Sequence, residues 1–209
     1  MLPMKRFQVA LVGLSAGALV ILASHPVFAH GTASGGVLGG LSHPLLGLDH
    51  LFMLMAVGTA ASIISSPLLL WALGGAAIGA TLGFAGFTLS AAEVMAALAI
   101  CLLGALVLLA SRYAKATNIN FFTTISGVVV AVGVSIHAML HGVEAPKDST
   151  TLLWWSGALF SSVLVCGCSY LLLKKSPVFV TKAAAVALFA IGGLFAFDPL
   201  ALLMAGAGA

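Results

Sequence analysis

Two histidines and an aspartate fall within eight residues of an apolar run, His43-Pro44-Leu45-Leu46-Gly47-Leu48-Asp49-His50. Ionisable groups at membrane depth each cost about 2.5 kcal/mol or more, so by default they mark an ion or substrate path. Pro44 suits the first turn of a helix, where its missing N–H would lack a partner anyway. A helix starting there places His43 and His50 on one face, roughly 10 Å apart along the axis. Asp49 lies about 100° round from His50 and is expected to reach sideways to a neighbouring helix. A second constellation closes a later apolar run, Ser135-Ile136-His137-Ala138-Met139-Leu140-His141-Gly142-Val143-Glu144. His137 and His141 stand at i and i+4, and with Glu144 they share an arc of about 60° if the helix persists.

Four histidines and two carboxylates are donors enough for one divalent cation site, or two in series. Imidazole suits zinc, copper, iron and nickel, whereas Mg²⁺ and Ca²⁺ prefer oxygen shells. A transport path must also release its ion, so the four tight ligands of a structural zinc site are not expected. Met53, Met55 and Met139 flank the cluster; they are read as apolar filler, with Cu(I) ligation as the alternative. For any one of the histidines, the competing reading is a buried ring hydrogen-bonded to a backbone carbonyl.

The elements that must position these groups follow from composition. Of 209 residues, 62% are hydrophobic and only 6% charged, too few charges to solvate a soluble domain of this size. The fold class expected is an all-α membrane protein, with a cleaved signal peptide followed by six transmembrane helices. Residues 1–29 read as the signal peptide: Lys5 and Arg6, an apolar core from Val9 to Ala23, and an A-x-A-like site at Val27-Phe28-Ala29. An uncleaved first helix is the alternative. Residues 30–43 form an extracytoplasmic segment with a flexible Gly/Ser stretch, and 44–209 form the permease domain. Six apolar runs lie near 44–64, 68–89, 92–111, 121–141, 152–173 and 178–197, and Asp198-Pro199 is expected to interrupt the last. Gly75, Gly79 and Gly83 make a small-xxx-small ladder for close helix packing. Cys101, Cys166 and Cys168 all lie in apolar runs and read as small buried side chains.

Orientation has its own signal. A cleaved leader places the mature N-terminus outside the cytoplasmic (inner) membrane. Six spans then put Arg112, Lys115, Lys174, Lys175 and Lys182 on the inside, five of the six basic residues beyond the leader. The net charge of +3 is therefore a topology signal and does not call for nucleic acid. Every histidine of the mature chain falls in the outer half. Glu93 is level with the cluster, where it either completes the site or favours a helix N-terminus. His30, as the new N-terminus, offers an amine and an imidazole to capture metal outside.

The pattern His43-Pro44-x-x-Gly47-x-Asp49-His50, with His137-x-x-x-His141-Gly142-x-Glu144, resembles the HupE/UreJ family of nickel permeases. The leader and the six spans extend the likeness over essentially the whole chain. Leu54 departs from it, standing where a methionine is expected. The resemblance implies a secondary or facilitative carrier of Ni²⁺, or of Co²⁺, with the metal as substrate and no prosthetic group. Its partners would be the lipid bilayer and nickel-enzyme maturation proteins serving hydrogenase or urease. A Gly-x-x-x-x-Gly-Lys-[Ser/Thr] loop is not present in the sequence, so no ATP-driven step is expected. An intramembrane zinc-dependent hydrolase, or a metal-sensing accessory subunit, would use similar residues. N-terminal sequencing of membrane-purified protein is expected to begin at His30, and a start at Met1 would remove the leader reading.

Overall fold

The computed structural model describes residues 35–113 and 119–206, with side chains at 35–111 and 122–197. The proposed leader, His30 and part of the 112–120 loop lie outside those residues. Among the described residues the chain is all-helical, with seven helices and no strand. They are α1 (Gly36–Leu46), α2 (Leu48–Ile63), α3 (Leu68–Phe84), α4 (Ala92–Tyr113), α5 (Ile119–Glu144), α6 (Thr151–Lys174) and α7 (Val178–Gly206).

The organising helix is α2, which touches every other helix. Its buried residues, His50, Phe52, Met53, Ala56, Val57, Gly58, Thr59, Ala60 and Ala61, come from all sides of the helix. A helix apolar all round belongs in the middle of a bundle. The small residues let its neighbours approach: a methyl on Gly58 would stand 2.7 Å from Ser169 Cβ on α6. The glycine ladder of α3 works in the same way. Methyl groups at Gly75, Gly79 and Gly83 would overlap the backbone carbonyls of Ala131, Ser135 and Met139 on α5. Thus α3 grips one face of α5, and the face carrying His137 and His141 turns the other way.

Among the described residues, four helices are long and apolar enough to cross a bilayer, within Ala92–Ser111, Phe122–Glu144, Thr151–Lys174 and Val178–Phe197. A fifth span is available if α1 and α2, bent by 73° at their break, count as one. Large apolar side chains such as Leu70, Leu152, Leu172 and Phe197 are exposed, an outer surface suited to lipid and not to water. This is a multi-pass membrane protein.

Four details differ from the sequence-based expectations. The first apolar helix begins at Gly36, eight residues before Pro44, so Pro44 lies inside α1 and the flexible stretch is partly helical. The second run stops at Phe84 because Gly86, at φ +92°, closes α3 with a Phe87 N–H to Leu82 carbonyl bond. At 17 residues α3 is a short apolar helix, about 25 Å long, at the lower limit for a span. Asp198-Pro199 does not interrupt the last helix, which continues to Gly206. Cys168 is exposed, while Cys101 and Cys166 are partly buried.

The α3–α5 contact predicts a paired stability result. Gly79→Ala should destabilise the purified protein by about 1–3 kcal/mol, because an overpacked contact forces the helices apart. Gly74→Ala, whose methyl would meet nothing within 4 Å, should be neutral or slightly stabilising. Thermal unfolding in one detergent compares them, and equal midpoints would mean the ladder does not set this packing.

Candidate metal centre

Gly47 breaks the chain between α1 and α2 with an extended ψ of 109°. The turn remains bonded, with the Gly47 N–H donating to the His43 carbonyl at 3.1 Å and the Leu51 N–H to the Gly47 carbonyl at 2.9 Å. The bend folds His43 back over the start of α2, so the His43 and His50 ring centroids are 4.7 Å apart. The two histidines meet across a corner and do not share the face of one straight helix.

α5 supplies the opposing side. The His50 ring lies 3.5 Å from that of His141 and 4.5 Å from that of His137, centroid to centroid. His43 reaches the same place, its Nε2 3.2 Å from His141 Nδ1. Glu144 Oε2 is 3.1 Å from that nitrogen. Asp49 curls back to its neighbour, Oδ1 lying 3.3 Å from His50 Nδ1, and its Oδ2 is 3.9 Å from His141 Nε2. The carboxylate thus meets its own neighbour through one oxygen and reaches the neighbouring helix α5 through the other. Both ring nitrogens of buried His137 lack a hydrogen-bond partner among the described residues. Leaving such an atom unsatisfied costs about 1–3 kcal/mol.

The donors form two groups, each with ligand atoms mutually within 4.8 Å. One comprises Asp49, His50, His137 and His141; the other comprises His43, His141 and Glu144. Two donors bonded about 2.1 Å from a divalent ion, at right or tetrahedral angles, lie about 3.0–3.4 Å apart. The 3.1, 3.2 and 3.3 Å separations fall in that interval. The His50, His137 and His141 imidazoles are buried and that of His43 is half-buried, while the Asp49 side chain is 41% exposed and that of Glu144 19%. Negative charge thus lies at the accessible rim and neutral nitrogen donors lie behind it.

Of the other sequence candidates, Glu93 is exposed in the first turn of α4 and belongs to neither group. His30 is outside the described residues. Met53 and Met55 pack with the apolar core.

Two positions matter that ligand chemistry alone would not select. A methyl on Gly47 would stand 2.8 Å from His50 Nδ1 and 3.2 Å from Asp49 Oδ1. Its φ of −74° is open to any residue, so space, not backbone freedom, demands glycine. Trp154 of α6 is fully buried with its ring 5.1 Å from that of His43. It can come so close because α1 presents Gly40 to the Trp154 carbonyl, where a methyl would overlap. In the α5–α6 loop just before it, the Thr150 hydroxyl and amide donate to Asp148 Oδ1 at 2.6 and 2.7 Å. These bonds hold the exposed Asp148 carboxyl below its ordinary range.

The family model described as HupE / UreJ protein matches residues 18–195. The protein HupE of Rhizobium leguminosarum bv. viciae is 31% identical over 148 residues, covering 67% of this chain and 73% of that protein. No solved structure matches the chain.

The Gly47 contact predicts that Gly47→Ala displaces the His50 ring and weakens binding of Ni²⁺ or Co²⁺ by about 10- to 100-fold, the usual penalty for disturbing a ligand's support. Equilibrium dialysis measures this, with protein yield and melting point as controls; unchanged affinity would show that the ring can yield without loss.

Proposed function

This chain belongs to the HupE/UreJ family, and we propose that it carries a divalent transition-metal ion, Ni²⁺ or Co²⁺, inward across the cytoplasmic membrane. The observation that supports this most is the meeting of four imidazoles and two carboxylates, from α1, α2 and α5, inside a multi-pass membrane protein. The nitrogen-rich donor set favours nickel, cobalt or zinc over Mg²⁺ and Ca²⁺. A carrier needs the ion to surrender its water to protein donors and then leave. The half-buried carboxylates at the rim suit the first step, and donor groups made of imidazole and carboxylate without thiolate suit the second.

Orientation follows the charge pattern, with the mature N-terminus and the donor cluster outside and the Lys174-Lys175 turn inside. In the full topology α1 and α2 act as one broken span and α3 as a thin one, giving six crossings. An inside-negative potential of 100 mV then contributes about 4.6 kcal/mol to a doubly charged ion crossing the whole field. That supports accumulation without ATP. Delivery of the metal to hydrogenase or urease maturation would consume it inside. The reading is of a carrier and not an enzyme: Asp49 and Glu144 both stand among the donors, so neither is set apart as a general base for metal-bound water.

The test is uptake of radiolabelled Ni²⁺ and Co²⁺ by cells without their own high-affinity system. His50→Ala, Asp49→Ala and His137→Ala are each expected to lower uptake about tenfold or more at limiting metal, with normal membrane protein levels. Wild-type expression that leaves uptake at the empty-vector level would sink the carrier reading.

A further inference from the structure

The two donor groups share one residue, His141, whose two ring nitrogens face different partners. Nδ1 faces His43 Nε2 at 3.2 Å and Glu144 Oε2 at 3.1 Å. Nε2 faces Asp49 Oδ2 at 3.9 Å, and Asp49 belongs with His50 and His137 to the other group. The groups also differ in depth. Along α5, Glu144 lies about 4.5 Å towards the helix end from His141, and His137 about 6 Å towards its middle. Along α5, the Glu144 group is therefore the shallow one and the His137 group the deep one, with Asp49 placed where the deep group still meets the accessible rim. A neutral imidazole has one lone pair and one N–H, so it can ligate through only one nitrogen at a time.

We propose that a single divalent ion occupies two mutually exclusive positions sharing the His141 ring: a shallow one on His43, His141 Nδ1 and Glu144, and a deep one on Asp49, His50, His137 and His141 Nε2. In the shallow state the Nε2–H points at Asp49; in the deep state the Nδ1–H donates to Glu144. The handover breaks the metal–Nδ1 bond and forms a metal–Nε2 bond. The ring proton passes from Nε2 to Nδ1 by exchange with water, and the imidazole stays neutral throughout. The carboxylate freed on each side is the acceptor towards which the ring then presents its N–H, Glu144 at 3.1 Å and Asp49 at 3.9 Å. This rests on the transport reading above and adds an order to it: ions move through the site singly and in two steps.

The two-position site and one undivided site differ in binding arithmetic. With two exclusive positions the observed association constant is the sum of both, so a variant that removes one position leaves the other intact. The experiment uses full-length protein in detergent, with Ni²⁺ dialysis for stoichiometry and affinity, and Co²⁺ d–d absorption for the ligand set. Wild type should bind one ion per chain. Of Glu144→Gln and His137→Ala, at least one should stay within about twofold of wild-type affinity, since the stronger position holds at least half of that sum. The double variant should lose more than about a hundredfold, and, where the two positions are of similar strength, far more than the product of the single losses. Co²⁺ bound to the two single variants should give different spectra, because each retains a different donor set. Uptake should fall in both, since the handover needs both positions. Two ions per wild-type chain, or losses of about tenfold or more in both single variants, would overturn the proposal while leaving a metal carrier in place. A wild-type protein that binds neither Ni²⁺ nor Co²⁺ would overturn the carrier reading and this one with it.

Discussion

Four imidazoles within ring contact of one another are poor company in a low-dielectric interior. Each needs a donor and an acceptor, and histidine neighbours cannot satisfy all of them at once. The His50 and His141 rings are 3.5 Å apart, and His137 has neither nitrogen bonded among the described residues. Such a cluster persists only if the surrounding helices hold it there. The architecture can be understood as that restraint. α2 touches every other helix and brings Asp49 and His50 to the point where it leaves Gly47. α5 is held from behind by α3, leaving the His137–His141 face to meet α2. α6 presses Trp154 against His43.

Glycine is the means of that restraint. In lipid, helices gain little from burying apolar surface against one another, and close backbone approach supplies the dispersion contacts that hold them. Gly75, Gly79 and Gly83 bring α3 against carbonyls of α5, Gly40 brings α1 against α6, and Gly58 admits α6 to α2. None of these residues can ligate a metal. Each nonetheless fixes the position of a helix that carries a ligand. A packing change several turns away can therefore be felt at the cluster, because rigid helices transmit a small displacement along their length.

The apolar runs were legible because span length and helical character follow from composition. α4, α5 and α6 keep their expected extents to within about three residues. The donor residues were visible too, since histidine and carboxylate stand out in a chain with 6% charged residues. Geometry was the part that local pattern could not supply. Pro44 suggested a helix start, but tertiary packing of Gly40 against α6 favours helix well before it. A straight helix would then have held His43 and His50 about 10 Å apart, and the bend at Gly47 instead brings their rings to 4.7 Å. Asp49 was expected to reach sideways to a neighbouring helix, and its Oδ2 does approach His141 Nε2 of α5 at 3.9 Å, but the 100° offset from His50 hid its other contact. At the first turn of α2 the side chain can fold back, and it finds His50 Nδ1 at 3.3 Å. Trp154 gave no local signal, since an aromatic in an apolar run reads as packing and its neighbour His43 is more than a hundred residues away in sequence.

Below the donor cluster the chemistry changes abruptly. One helical turn further into α5, Val134 and then Val130 are buried in an apolar cluster with Val57, Ile100 and Leu103. Among the described residues, buried polar side chains away from the cluster are Ser126, about 16 Å along the axis from His137, Thr181, Thr59 and, on α6, Ser161. A divalent ion stripped of water cannot cross that valine layer as packed, because nothing in it replaces the lost ligands. In a carrier, the packing between α2, α4 and α5 must therefore loosen before the ion moves on. The small residues there make such a movement feasible. Ala56, Ala60 and Ala99 interlock little, so the helices that meet at them can slide with few rotamer changes. The same small-residue surfaces that hold the histidines together thus also give the helices beneath them room to part.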